Sequence, residues 1–160
     1  MRDVGRPGMA GVLPAGIAKL HHVGIVCPDR TLLEPLLYLA GASDNGATGK
    51  VASAYIPEFQ CDCYLLGQLE LVVPTDPGED NALLTPLQRW LKGRGRSLHH
   101  IAFELNDVDA HCATLRAHGV PVVLERAVDG VADLRVNFVH PSYCGFLVEL
   151  VEREPVTVPA

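Results

Sequence analysis

The sequence predicts an α+β fold: two βαβββ modules that share one concave, partly closed mixed β-sheet, with helices on the outside. Two observations carry this expectation. The first is an internal repeat. Leu20-His21-His22-Val23-Gly24-Ile25 overlays Leu98-His99-His100-Ile101-Ala102-Phe103, and His22 and His100 stand 78 residues apart (100 − 22). Glu70 and Glu149, each inside an apolar run, stand 79 apart (149 − 70). A fixed period means a structural unit that completes its core against its own copy. The second observation is that both copies show the same succession of hydrophobic periodicities, one strand, one helix and three further strands.

In the first copy, residues 20–27 alternate and are β-branched, which reads as a strand. Pro28-Asp29 stops it, and Asp29 suits a helix N-cap. Residues 31–39 are Leu-rich and helical, with Gly41 ending the helix, and 43–49 form a Gly, Asn and Ser loop. Strands follow at 50–56, 61–66 and 69–74. In the second copy 98–105 is a strand, Asn106-Asp107 caps a helix over 108–118, and Gly119 closes it. Strands are expected at 121–126, 134–139 and 146–152. The connector holds a helix over 81–91 and a flexible Gly93-Arg94-Gly95-Arg96. The organisation is thus a leader (1–18), one domain (19–152) and a tail (153–160). The domain divides into module one (19–74), connector (75–96) and module two (97–152).

A chain of 160 residues is long enough for one well-buried core. Thirteen Lys and Arg against 19 Asp and Glu, without a basic stripe, argue against a nucleic-acid partner. No apolar run reaches the ~20 residues of a membrane span. The leader has no continuous apolar stretch of the signal-peptide type, and a cytoplasmic protein is expected. Five scattered cysteines without a Cys-x-x-Cys pair read as reduced thiols. Cys61 and Cys63 share one face of a strand.

Strict alternation on a strand sends His21 and His22 to opposite faces, and likewise His99 and His100. If the halves pair around a pseudo-twofold axis, His22 and His100 meet Glu70 and Glu149 inside the cup. A lone strand histidine is usually structural, but a carboxylate in an apolar run is costly without a partner. Its recurrence at the His–His offset favours a centre of two imidazoles and two carboxylates. That donor set suits a divalent first-row ion with coordination positions left open.

At these residues the chain resembles the vicinal oxygen chelate superfamily, the glyoxalase and bleomycin-resistance fold, and within it the methylmalonyl-CoA epimerase family. The resemblance covers residues 19–152. It rests on Leu20-His21-His22-Val23-Gly24-Ile25-Val26-Cys27-Pro28-Asp29, Leu69-Glu70-Leu71-Val72-Val73-Pro74 and Leu98-His99-His100-Ile101-Ala102-Phe103. Val136-Asn137-Phe138-Val139-His140-Pro141 and Gly145-Phe146-Leu147-Val148-Glu149-Leu150 complete it. It implies metal ligands at His22, Glu70, His100 and Glu149, with Glu70 where some members carry Gln. The ion would be one of Co, Ni, Zn or Mn. Two departures stand out: the loop before Glu149 is one residue shorter than the epimerase pattern, and residues 41–67 align poorly.

The activity implied is 1,1-proton transfer on a 2-substituted malonyl thioester through a metal-stabilised enolate. Glu149 serves there as ligand and proton acceptor. The opposite acid/base, a strand glutamate in some epimerases, falls on Asp62 or Cys63, with Glu58 nearby. Arg94 and Arg96, in the basic segment 89–96, are candidates for the phosphates of a CoA tail. A homodimer is expected from the family. The alternatives are a glyoxalase-type isomerase or lyase, a tailoring enzyme on another carbonyl compound, and, from a different class, a metal-free drug-sequestering protein.

Overall fold

The structure, a computed structural model, describes residues 19–39, 51–75 and 84–153. The expected leader, the 43–49 loop and the Gly41 helix stop lie outside the described residues. Among the described residues eight strands form one sheet: β1 (Lys19–Val26), β2 (Ala52–Ile56), β3 (Cys61–Leu66), β4 (Leu69–Pro74), β5 (Ser97–Glu104), β6 (Val128–Asp129), β7 (Leu134–Val139) and β8 (Leu147–Arg153). Four α-helices accompany them: α1 (Leu33–Leu39), α2 (Pro86–Arg94), α3 (Val108–Ala117) and the short α4 (Pro141–Cys144).

The sheet order is β2-β3-β4-β1-β5-β8-β7-β6. It reads the same from both ends once the modules are superposed, since β5 is the counterpart of β1 and β8 of β4. The seam is the antiparallel β1–β5 pair, and β1–β4 and β5–β8 are parallel. Each parallel pair needs a crossover, which the segment carrying the module's helix supplies. The loop 130–133 after β6 packs against β2 and β3, so the two ends of the sheet approach each other.

Local chemistry explains most boundaries. Asp29 accepts from the Thr31 N–H at the start of a 3₁₀ turn (Arg30–Leu32) that leads into α1, and Asp107 accepts from the Ala110 N–H on α3. Of the connector helix expected over 81–91, residues 81–83 lie outside the described residues; the described helix starts at Pro86, because Thr85 is extended and forms a capping box with Gln88. Gly93 and Arg94 belong to the helix, which stops at Gly95, where φ is +67°.

The strand expected at 121–126 does not form. Val122 makes an isolated bridge to Val139, and regular pairing with β7 resumes only at Val128 and Asp129. The Val123 N–H still donates to the Phe138 carbonyl at 2.8 Å, and beyond it side chains take over the ladder. The Asn137 amide brackets Leu124, accepting from its N–H and donating to its carbonyl at 3.1 Å each. Arg116 donates to the carbonyls of Leu124 and Glu125, and Asp109 accepts from the Ala127 N–H. With its backbone groups satisfied this way, the segment bulges away from the sheet.

Two apolar clusters result. One fills the concave side and includes Val26, Ile56, Val72, Leu134 and Phe138. The other lies under α3, where Val108, Cys112 and Leu115, spaced as one helical stripe, meet Val139 and Leu150. β8 is therefore covered on both faces over Glu149–Glu152, whereas β1 and β5 alternate buried with half-exposed residues. Among the described residues no helix is long and apolar enough to cross a membrane.

Candidate metal centre

The four central strands each contribute one polar side chain to the floor of the cup. His22 comes from β1, Glu70 from β4, His100 from β5 and Glu149 from β8. Register puts them there in two symmetric rows. In one, Gly24 pairs with His100 on one side and with Glu70 on the other. In the other, Ala102 pairs with His22 and with Glu149. Each row thus sets a histidine and a glutamate across a small residue. An added Cβ on Gly24 would overlap the His100 imidazole, so this glycine makes the room that the ring occupies.

The donor atoms converge. His22 Nε2 lies 2.9 Å from Glu149 Oε2 and 3.5 Å from Glu70 Oε2, and His100 Nε2 lies 3.2 Å from each of the same two oxygens. The two Nε2 atoms are 3.0 Å apart. One donor atom from each of the four residues falls within 4.8 Å of all the others. All four residues are buried, at 1 %, 5 %, 3 % and 4 % exposure for His22, Glu70, His100 and Glu149. Burying two carboxylates costs several kcal/mol each unless charge and hydrogen bonds compensate. Yet Glu149 Oε2 makes no well-formed hydrogen bond, only ion-pair contacts with the two imidazoles. Donor atoms gathered within 4.8 Å of one another, two carboxylates and an N₂O₂ donor set fit a divalent cation.

Electrostatics agree. Burial works to lower the imidazole pKa values, but the carboxylates of Glu149 and Glu70 outweigh it and raise His22 to about 9 and His100 to about 10. Burial works to raise Glu70, and the two imidazoles overcome it, bringing the carboxyl down to about 2. Glu149 is shifted down for the same reason. Without an ion, protons supply the positive charge that the carboxylates require.

A cavity of about 480 Å³ opens over the four residues. Its walls are mainly apolar, with Ile56, Phe59, Val72, Leu87, Leu134 and Phe138 among them. Cys63 lines it too, because Cys61, Cys63 and Leu65 share a face and Leu65 pairs with Glu70. The Cys63 thiol contacts Cys61 Sγ at 3.8 Å; that contact first, and burial second, push its pKa up. Asp62 stands on the opposite face of β3, half-exposed, and is not in the cavity wall, since side chains alternate along the strand. Glu58 lies at the cavity in the exposed turn between β2 and β3.

Arg94 and Arg96 are outside the cavity. The Arg94 guanidinium stacks over the Trp90 ring at 4.0 Å, and Trp90 in turn packs edge-on against His99, a cavity residue. Arg96 lies by the Cys27 thiol, where its charge opposes the rise in pKa that burial causes. His140 caps α4 by accepting from the Ser142 N–H, the turn role its place before Pro141 suggests.

The expected opposition of adjacent histidines does not hold. His21 and His99 lie beside the rings of His22 and His100, not across the sheet from them. Sequence reasoning missed this and the role of Gly24. The overlay of Gly24 on Ala102, small residues at one repeat position, was the available signal.

Comparison with known proteins agrees with this geometry. Residues 21–138 match the family model described as the glyoxalase/bleomycin resistance protein/dioxygenase superfamily. No curated protein sequence matches the chain. Among solved structures, methylmalonyl-CoA epimerase from Mycobacterium tuberculosis is 28% identical, covering 89% of this chain and 93% of its own, with a TM-score of 0.69. A single-substitution variant of the Streptomyces coelicolor methylmalonyl-CoA epimerase, in complex with 2-nitronate-propionyl-CoA, is 31% identical, covering 90% of this chain and all (100%) of its own, with a TM-score of 0.68. A methylmalonyl-CoA epimerase in complex with methylmalonyl-CoA and NH4+ gives the same identity, coverage and TM-score. Two βαβββ modules joined at the β1–β5 seam and a family match over most of the domain lead to one conclusion: the chain belongs to the glyoxalase/bleomycin resistance protein/dioxygenase superfamily.

Proposed function

We propose that the chain is a metal-dependent epimerase that moves the α-proton of a 2-substituted malonyl thioester such as methylmalonyl-CoA. The convergence of His22, Glu70, His100 and Glu149 under an apolar cavity, in a fold shared with methylmalonyl-CoA epimerases, carries this reading. Those four residues would hold one divalent ion, of the Co, Ni, Zn or Mn type. Such an ion, when bound, supplies Lewis-acid stabilisation for the charge of an enolate.

The protein's own residues do the rest. The apolar wall excludes water, which strengthens every electrostatic contact at the floor. Glu149 has an oxygen with no hydrogen-bond partner at the cavity floor and takes the α-proton. Cys63, held as a neutral thiol, delivers a proton from the β3 wall. Glu58, at the exposed turn, is the alternative donor; Asp62 faces the wrong way for the part. Arg94, stacked on Trp90, and Arg96, both outside the cavity, are the cations offered to the phosphates of a CoA tail. We further propose a cytoplasmic homodimer, the setting implied by the resemblance.

One observation favours a second reading, a different carbonyl isomerase or lyase of the superfamily. The residues of β2 and β3 packed toward the cavity side are Ala52, Ala54, Ile56, Cys61, Cys63 and Leu65, so no carboxylate stands there to act as a strand base. Deuterium exchange separates the readings. Metal-loaded protein incubated with methylmalonyl-CoA in deuterated water should place deuterium at the α-carbon, and a His100→Ala, Glu149→Ala double variant should not. Exchange no faster than without protein would reject the epimerase and leave the second reading.

A further inference from the structure

We infer that His21 and His99 are paired positioning residues, each fixing the ring plane and tautomer of the histidine that follows it. The inference rests on the metal-centre reading of His22 and His100. It starts from the β1–β5 seam. Between Leu20 and His22 the ladder advances two residues on β1 for one on β5, Phe103 to Ala102. Between Gly24 and Ile25 it advances one residue on β1 for two on β5, His100 to Leu98. The surplus residues are His21 and His99. The seam therefore has one bulge in each strand, at equivalent positions of the internal repeat. A bulged residue is unpaired and its side chain is re-aimed.

Both bulges aim the imidazole the same way. His21 Nδ1 lies 2.8 Å from His22 Nδ1, and His99 Nδ1 lies 3.0 Å from His100 Nδ1. The ring centroids are 5.1 and 5.3 Å apart and the ring planes cross at 77° and 79°. Two independent strands thus build the same contact. Its chemistry follows from the other end of each ring. Nε2 of His22 and of His100 faces the carboxylates and the opposite imidazole. To offer a lone pair there, a neutral imidazole must carry its proton on Nδ1. That N–H then donates to Nδ1 of His21 or His99, which must be the acceptor and carry its own proton on Nε2. Such outer partners of ligating histidines fix orientation and raise ligand basicity. His99 is itself held by the edge-on Trp90 ring, 4.9 Å between centroids.

The test uses Zn²⁺ as probe, titrated calorimetrically into metal-free protein, with the thermal melt of each metal-free variant as the folding control. Asn places an amide oxygen near the Nδ1 position; Gln places it near Nε2; Leu offers no acceptor. His99→Leu and His21→Leu should each weaken Zn²⁺ binding by about 10–100-fold. His99→Asn and His21→Asn should recover most of the affinity, and the Gln variants should not. The Asn-against-Gln contrast stands even where a Leu variant fails to fold. Leu variants that bind like wild type, or Asn and Gln variants that are equally impaired, overturn the inference. Wild-type protein that binds no Zn²⁺ would instead remove the metal-centre reading and this inference with it.

Discussion

Gly24 shows how much a single missing methyl can carry. A Cβ at this position would lie 2.6 Å from His100 Nδ1 and closer still to other ring atoms, so Gly24→Ala must displace the ring. Overpacking of this kind costs about 1–3 kcal/mol. Here the atom that moves is also a donor of the proposed centre, so the expected outcome is a modest fall in melting temperature with at least a tenfold loss of Zn²⁺ affinity. Ala102→Gly, the reverse change in the other row, should cost only about 0.5–1 kcal/mol and leave Zn²⁺ affinity close to wild type. Paired melts and titrations check both; equal affinities for the Gly24→Ala protein and wild type would refute the argument. The four proposed ligands were legible in the sequence because the internal repeat carries one His position and one Glu position twice. Gly24 was less so, because which residue shares a row with His100 is decided by register across the seam.

At the scale of elements, a polar bridge ties α3 to the outer face of the second module. Glu152 accepts from the buried Val108 N–H and from Arg135, and Arg135 reaches on to Asp109, which accepts from Ala127. Glu152→Ala strips a helix N-terminus of its side-chain partner and a half-buried guanidinium of one of its two carboxylates at once. Losing a buried donor's partner costs about 1–3 kcal/mol, so urea denaturation should show a loss of that size with Zn²⁺ binding unchanged. A variant as stable as wild type would show that water replaces the carboxylate. The same region marks the limit of periodicity as a guide. Val120 to Leu124 is a valine-rich run of the kind that forms strands, yet it meets β7 only around Val122 and Val123, and from Leu124 to Ala127 the side chains of Asn137, Arg116 and Asp109 satisfy the backbone instead of a neighbouring strand. Those partners lie elsewhere in the sequence. The seam bulges escaped for a related reason: alternation belongs to one strand, whereas a bulge is a mismatch between two strands from different modules.

For the whole molecule, the buried quartet links stability to pH in a way that depends on metal. His22 and His100 have folded pKa values of about 9 and about 10 against an ordinary value of 6.5. Their contribution is complete below pH 6.5 and is lost as pH rises toward 9 and 10. Glu70 is shifted the other way, from 4.5 to about 2. Its contribution is complete above pH 4.5 and is lost as pH falls toward 2. The quartet therefore supports metal-free protein best between pH 4.5 and 6.5. A bound divalent ion takes over the charge the protons supplied, and it competes with fewer of them as pH rises. Ligand binding adds to stability in proportion to the logarithm of concentration over Kd. The melting temperatures of chelator-treated and Zn²⁺-loaded protein should accordingly diverge as pH increases from 6.5 toward 9, with the metal-free form falling and the loaded form holding. His100→Ala should abolish the divergence. A gap that is constant with pH, or one that survives in the His100→Ala protein, would mean that Zn²⁺ binds somewhere other than between the two modules.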